Sequence, residues 1–159
     1  MNKWPHLTHH TNEPLQELRR IHQTPSESCW DKPIGLWVSD EQDYGWLKWC
    51  VAEEFNEKGY QHHYTIDLHH EANVLWLRDT TDMRAFTKDF GYPDNSHYRN
   101  EPIIPWEKVQ DSYDGVLITP YHWELRMEDQ FNWYYGWDCA SGCIWNPEAI
   151  QSYYLEKTL

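Results

Sequence analysis

The first segment whose residue types suggest chemistry is Leu7–Thr11, a predicted strand that carries two histidines and a threonine. Because side chains alternate along a strand, His9 and Thr11 face one side and His10 faces the other. A histidine changes charge near neutral pH, and a strand end can offer it to a ligand. We therefore take His9 and Thr11 as candidate ligand-binding residues, while a partly buried histidine with a satisfied hydrogen bond is the simpler alternative for His9.

The second segment, residues 32–39, contains a glycine, a tryptophan and a serine at alternate positions of a predicted strand. Gly35, Trp37 and Ser39 share one face, so a ligand could approach the backbone at Gly35 and lie against the indole of Trp37. Trp37 could equally be a core residue, and Ser39 could serve as a helix N-cap.

The third segment, residues 133–146, places Asp138 among aromatic residues. No Lys or Arg occurs between Arg126 and Lys157, so no close sequence neighbour neutralises this acid. A buried carboxylate without a cation needs other donors or takes a raised pKa. Proteins retain such costs mainly at functional sites, so Asp138 is our candidate catalytic acid.

These segments need a framework of short strands and helices of unequal length, which favours an α+β single domain over residues 1–159, with short antiparallel strands in two small sheets and flanking helices. Tyr64–Leu68 and Asn73–Leu77 are expected to form an antiparallel pair. The long aromatic stretch from Pro120 to Gly136 is expected to be an ordered loop that covers part of the fold. The other predicted strands are Leu7–Thr11, Ile34–Val38, Val116–Thr119 and Cys143–Trp145. The predicted helices begin at Asn12–Pro14, with Leu15, Leu18 and Ile21 on one face, at Ser39 or Asp40, at Asp79 or Thr80, and at Pro105. The third of them ends at Gly91, and a polar loop follows over Tyr92–Ile104.

The composition limits the class of protein. The 159 residues include 13 basic and 26 acidic side chains, for a net charge of −13. Such a surface repels phosphate backbones and disfavours stable non-specific nucleic-acid binding. The 11 Trp and 11 Tyr against 4 Phe suit clefts and interfaces as well as cores.

The cysteines and histidine pairs do not make a convincing metal site. Cys139 and Cys143 are spaced C-x3-C, without a second cysteine pair to complete four zinc ligands, so no metal is predicted. The sequence has no membrane-length apolar run and no signal-peptide pattern at its start. We therefore expect a cytoplasmic protein whose four cysteines are thiols.

The combination of a His-x-Thr strand, a helix, a Gly-x-Trp-x-Ser strand and a second helix resembles the ADP-ribosyltransferase fold. The resemblance is to its histidine-containing branches and covers about residues 6–58. More loosely, the chain resembles small phage and bacterial proteins that share KP-x-GLW-x-S, W-x-x-WC and WD-x-x-SGCIW segments. In the ADP-ribosyltransferases the first-strand histidine holds a ribose and the nicotinamide amide, and the second-strand aromatic and serine line the nicotinamide pocket.

The resemblance implies an NAD cofactor held by His9, Thr11, Gly35, Trp37 and Ser39, with Tyr44 as a further ring partner. Where the family has its catalytic Glu, at the start of the last strand, this chain has Ser141 and Gly142. The implied catalytic residues are therefore His9, Asp138 and Ser141, and Asp138 takes the place of the carboxylate. For a diphosphate, the nearest positive groups in sequence are Arg19, Arg20 and Lys32.

Two functions follow. The first is an enzyme that transfers ADP-ribose from NAD⁺ to an acceptor, which we expect to be a protein, or that hydrolyses the nicotinamide–ribose bond. The second is a non-enzymatic acidic inhibitor or adaptor that occupies a basic, nucleic-acid-binding surface of another protein. The acids that would imitate phosphates are Asp40, Glu41, Asp43, Glu53, Glu54, Glu57 and Asp79.

Overall fold

A computed structural model describes residues 3–93 and 101–158 of the chain. The strands are β1 (Leu7–Thr11), β2 (Leu36–Ser39), β3 (His62–Leu68), β4 (Val74–Leu77), β5 (Tyr92–Pro93), β6 (Pro102–Ile103), β7 (Gly115–Ile118), β8 (Ser141–Ile144) and β9 (Ile150–Thr158). The helices are α1 (Trp46–Ala52), α2 (Thr80–Phe90), α3 (Trp106–Val109) and α4 (Asn132–Tyr135), with 3₁₀ turns at Trp123–Leu125, Asp129–Phe131 and Pro147–Ala149.

Seven strands form one sheet in the order β4-β7-β8-β2-β1-β3-β9, and β5 pairs with β6. Within the seven-stranded sheet only β4 and β7 are parallel. The α+β prediction is confirmed. Two sheets were expected and two are found, but they are not both small. Of the described strands, seven form one sheet and the two-residue strands β5 and β6 form the other.

The sheet separates two apolar clusters. Along β7, Val116 and Ile118 belong to one cluster and Leu117 to the other, as strand alternation requires. The larger cluster contains residues of α2, α3 and α4, among them Met83, and four buried tryptophans. Those tryptophans are Trp106, Trp133, Trp137 and Trp145.

The prediction for α2 is confirmed in detail. The Asp79 carboxylate accepts a hydrogen bond from the Asp82 N–H at 2.8 Å, and the helix ends at Gly91. The predicted cover is confirmed as well, since residues 120–136, called the aromatic cover below, form short helical turns that bury Tyr121, Phe131 and Tyr134. The predicted polar loop at 92–104 contains the β5–β6 pair, and its residues 94–100 lie outside the described residues.

The predicted first helix is wrong. Residues 12–27 have no helical structure, because their amides bond to the body of the protein: the Leu15 N–H donates to the Tyr64 hydroxyl and the Ile21 N–H to the Trp145 carbonyl. The second helix is shorter than expected. The chain first turns through residues 40–45, so α1 begins at Trp46, and it ends at Ala52 before Glu54 and Asn56 adopt positive φ.

The predicted β3–β4 hairpin is also wrong. β3 lies between β1 and β9, whereas β4 pairs in parallel with β7 at the other edge of the sheet. The sequence reading missed β9, which occupies the edge of β3 that a hairpin would need. The exposure of Tyr153, Tyr154 and Leu155 in succession gives β9 no alternating pattern to detect.

Candidate functional site

A cavity of about 300 Å³ opens beside three adjacent strands, β1, β2 and β8. The strand pairing aligns Thr8 with Ser39 and Ser39 with Ser141, so the side chains of separate segments meet at one place. The lining residues are Thr8, His9, His10, Lys32, Trp37, Val38, Ser39, Trp46, Trp137, Asp138, Cys139 and Ser141. Five of the eight candidate residues therefore line one cavity: His9, Trp37, Ser39, Asp138 and Ser141.

The other three candidates are not among its lining residues. The Thr11 hydroxyl accepts a hydrogen bond from the Glu13 N–H at 3.2 Å. Tyr44 packs against Trp123 in the aromatic cover, with 4.8 Å between ring centroids. A Cβ on Gly35 would lie 2.5 Å from the Ile144 carbonyl oxygen, so close packing against β8 explains this glycine without a ligand.

His9 is held by strand β2. Its Nδ1 lies 2.6 Å from the Trp37 carbonyl oxygen, and because a carbonyl only accepts, Nδ1 carries the proton. Burial lowers the pKa of His9, which outweighs the opposite effect of that hydrogen bond. The ring is therefore neutral at pH 7, and its Nε2 is a hydrogen-bond acceptor.

Asp138 is half-buried and, contrary to the sequence expectation, it has cationic partners. Arg126 Nη2 lies 3.7 Å from Asp138 Oδ1. Burial raises the pKa of Asp138, while the positive charges of Lys32 and Arg126 act in the opposite direction. The sequence did not predict this pairing, because Arg126 and Asp138 are far apart in sequence and the fold of the aromatic cover brings them together.

Indole rings form the apolar part of the cavity. Trp37 and Trp137 meet edge to face, with 4.9 Å between ring centroids, and Lys32 Nζ lies 5.6 Å from the Trp37 centroid. Trp46 stacks on Trp49. Trp137 is 1% exposed, and its Nε1 is buried with no hydrogen-bond partner among the described residues. A flat ring can pack against such indole faces.

Ser39 supports α1 as well as lining the cavity. Its hydroxyl donates to Glu41 Oε1 at 2.7 Å and accepts from the Trp46 N–H at 2.7 Å. Burial opposes the ionisation of Glu41, but the nearby His10 ring and the hydrogen bonds from the Leu47 N–H and the Ser39 hydroxyl outweigh it and lower the pKa of this carboxyl. The N-cap interpretation of Ser39 is thus wrong, because Gly45 is the N-cap residue of α1 and Ser39 ends β2. From that position the Ser39 hydroxyl still accepts from the first amide of the helix while it lines the cavity.

The remaining polar groups of the cavity are tied to the protein. The Ser141 hydroxyl donates to the Cys139 carbonyl at 3.0 Å. Burial raises the pKa of the Cys139 thiol to about 12, so this cysteine is protonated and a poor nucleophile.

The four cysteines are free thiols, and the described residues contain no group of three or more His, Cys, Asp or Glu placed to hold a metal ion. Within the same residues, no helix is long and apolar enough to cross a membrane.

Sequence reasoning missed Arg126, which contacts Asp138, and six of the lining residues: Thr8, His10, Val38, Trp46, Trp137 and Cys139. Trp137 adjoins Asp138 in the sequence, and Trp46 belongs to the W-x-x-WC segment, so both had a local signal. Arg126 had none. Comparisons with protein-family models, with curated proteins and with solved structures find no match for this chain.

Proposed function

We propose that this cavity binds the nicotinamide end of NAD⁺ and that the protein cleaves the nicotinamide–ribose bond, passing ADP-ribose to an acceptor or to water. The observation that carries the proposal is the convergence of His9, Trp37 and Asp138, from three separate segments, on one cavity. His9 and Trp37 stand where the ADP-ribosyltransferase resemblance expects a ribose anchor and a ring wall. Asp138 lies three residues before Ser141, where the family has its carboxylate.

The chemistry needs a leaving group that is held flat and a developing positive charge that is stabilised. In the proposed step the C–N bond breaks, its electron pair goes to the nicotinamide nitrogen, and neutral nicotinamide leaves. Water or the acceptor then bonds to the ribose carbon and releases a proton. Trp37 would pack against the nicotinamide, and the Asp138 carboxylate would stabilise the cationic ribose. The unprotonated Nε2 of His9 would accept a hydrogen bond from a ribose hydroxyl.

The position of the acid is constrained by the packing of β8. A Cβ on Gly142 would lie 2.5 Å from the Val116 carbonyl oxygen, so this position cannot carry a glutamate without displacing β7. Ser141 lines the cavity but has no charge. Among the residues just before β8, Asp138 is therefore the carboxylate available to the cavity.

The test is to incubate the purified protein with NAD⁺, with and without a cell lysate as a source of acceptors, and to quantify free nicotinamide. The wild type should release nicotinamide, and His9→Ala should release at least tenfold less, about 1.4 kcal/mol of transition-state stabilisation. His70→Ala is the matched control, because His70 is exposed, lies 3.5 Å from the Glu71 carboxylate and is not a lining residue of the cavity. An absence of release under both conditions would refute the proposal.

The alternative, an acidic protein that imitates phosphates, is less favoured by the placement of its acids. Asp40 is buried and accepts a hydrogen bond from the Thr119 hydroxyl, and Asp43 accepts from the Tyr121 N–H. Glu41 is turned toward Ser39 and the start of α1. Of the seven acids considered, these three serve the fold and Asp79 caps α2. Only three of the seven, the exposed acids Glu53, Glu54 and Glu57, are then free to imitate phosphates on a surface.

A further inference from the structure

Arg126 is mostly buried yet makes few polar contacts. Its side chain is 29% exposed, and its Nε is buried without a hydrogen-bond partner in the part of the chain that the structure describes. The guanidinium lies over the Tyr135 ring at 5.0 Å from the centroid, and its closest carboxylate oxygen, on Asp138, is 3.7 Å away. That separation exceeds the length of an N–H···O hydrogen bond.

The Arg126 guanidinium therefore has a buried N–H donor, on Nε, for which the described residues provide no acceptor. Arginine presents five N–H donors in a planar fork, and buried donors in native proteins are nearly always paired. The fork matches the spacing of phosphate oxygens, and such charge-assisted pairs are stronger than neutral hydrogen bonds. A phosphate at the exposed side of the guanidinium would accept from its terminal N–H groups, whose contact with Asp138 is 3.7 Å long.

Arg126 is not itself a lining residue but reaches the cavity through Asp138, and a second cation lines the cavity directly. Lys32 lines the cavity, and its Nζ donates one hydrogen bond, to the Gly136 carbonyl at 2.6 Å. Lys32 and Arg126 both act on the Asp138 carboxylate, and the other acid that acts on it, Glu53, is exposed. The structure thus gathers two cations near one lining carboxylate, in a chain whose net charge is −13.

We propose that Arg126 and Lys32 form the phosphate-binding part of the cavity, so that its ligand is a phosphorylated nucleotide and not a nucleoside. The inference rests on the proposed function for the identity of the ring in the cavity, but the phosphate site itself rests on the two cations. Of the three cations that the sequence offered for a diphosphate, Arg19, Arg20 and Lys32, this proposal uses Lys32. Arg19 is highly exposed, is paired with Glu17 at 3.8 Å, and lines a different cavity.

The test is calorimetric titration with inorganic pyrophosphate, which requires no ring recognition. The wild type should bind it, and Arg126→Ala and Lys32→Ala should each weaken binding by about tenfold or more. Arg126→Lys should recover part of the affinity, because it keeps the charge and loses the fork. ADP-ribose should compete with pyrophosphate, and adenosine should not.

Arg84→Ala is the matched control, since Arg84 already donates two hydrogen bonds to the Glu128 carboxylate and lies over the Phe131 ring. Pyrophosphate binding that is absent, or equal in Arg126→Ala and Arg84→Ala, overturns the phosphate site. If nicotinamide is still released from NAD⁺ in that case, the proposed function is retained without the phosphate site. Pyrophosphate binding that depends on Arg126 in a protein that releases no nicotinamide supports the phosphate site and refutes the proposed function.

Discussion

Replacing Asp138 with asparagine should abolish most of the activity while leaving the fold nearly unchanged. The asparagine keeps the size and one acceptor oxygen, but it cannot stabilise a cationic ribose. The charge that is lost has one ion pair, at 3.7 Å, with Arg126. A partly exposed pair of this kind contributes about 0.2–1 kcal/mol. Nicotinamide release should fall at least tenfold, which corresponds to about 1.4 kcal/mol.

The direction of the pKa shift determines the effect on stability. Because the pKa of Asp138 is raised in the folded protein, the folded state disfavours the ionised form more than the unfolded state does. This unfavourable contribution is complete above the folded-state pKa and disappears as the pH falls through it. The raised pKa is the net result of burial and of the nearby charges, the Arg126 ion pair included, so Asp138→Asn should not lower the stability at pH 7 appreciably. On acidification the wild type should recover stability relative to the variant.

The assay combines thermal unfolding at several pH values with nicotinamide release at pH 7. For a chain of this length 1 kcal/mol corresponds to about 2–4 °C, so the Tm of Asp138→Asn should lie within about 4 °C of the wild type. A much larger fall in Tm with unchanged nicotinamide release would refute the reasoning, since Asp138 would then be a structural acid.

Three further outcomes are expected. Gly35→Ala should lower the free energy of unfolding by about 1–3 kcal/mol in urea denaturation, because its Cβ would collide with the Ile144 carbonyl, whereas Gly136→Ala should change it little; equal effects would contradict the packing. His9 should titrate below 6.5 by NMR, and since the unfolded state then binds more protons, its burial should cost stability as the pH falls below 6.5; a midpoint above 6.5 would contradict the assigned environment. Trp37→Leu should weaken NAD⁺ binding about tenfold in calorimetry, because it removes the ring face; unchanged affinity would place the nicotinamide elsewhere.

The parts of the fold that the sequence predicted are those with strong local signals. Asp79 before an amphipathic stretch and Gly91 after it defined α2, and the alternating Gly35, Trp37 and Ser39 marked β2. The predictions failed where tertiary contacts replaced local ones. Residues 12–27 have the apolar spacing of a helix, but their amides bond to distant groups such as the Tyr64 hydroxyl.

The candidate site was predictable residue by residue but not in its electrostatics. His9, Trp37 and Asp138 were chosen from strand ends and an unusual acid, and the sheet order that makes β1, β2 and β8 neighbours brings them together. The partner of Asp138 was not predictable, because Arg126 reaches it through the fold of the aromatic cover. For Gly35 the sequence predicted contact with a ligand. The structure instead shows that the backbone of β8 lies too close to leave room for a side chain at this position.

The most direct test of the account is the response of the tryptophan indole N–H resonances to NAD⁺ in a ¹⁵N-labelled sample. The account predicts that Trp37 and Trp137, which line the cavity, shift on titration with NAD⁺. It also predicts that Trp76, on the edge strand β4 with its Nε1 bonded to the Thr119 carbonyl, does not. Unchanged Trp37 and Trp137 resonances at saturating NAD⁺, or shifts confined to Trp76, would contradict the claim that this cavity binds the nicotinamide end of NAD⁺.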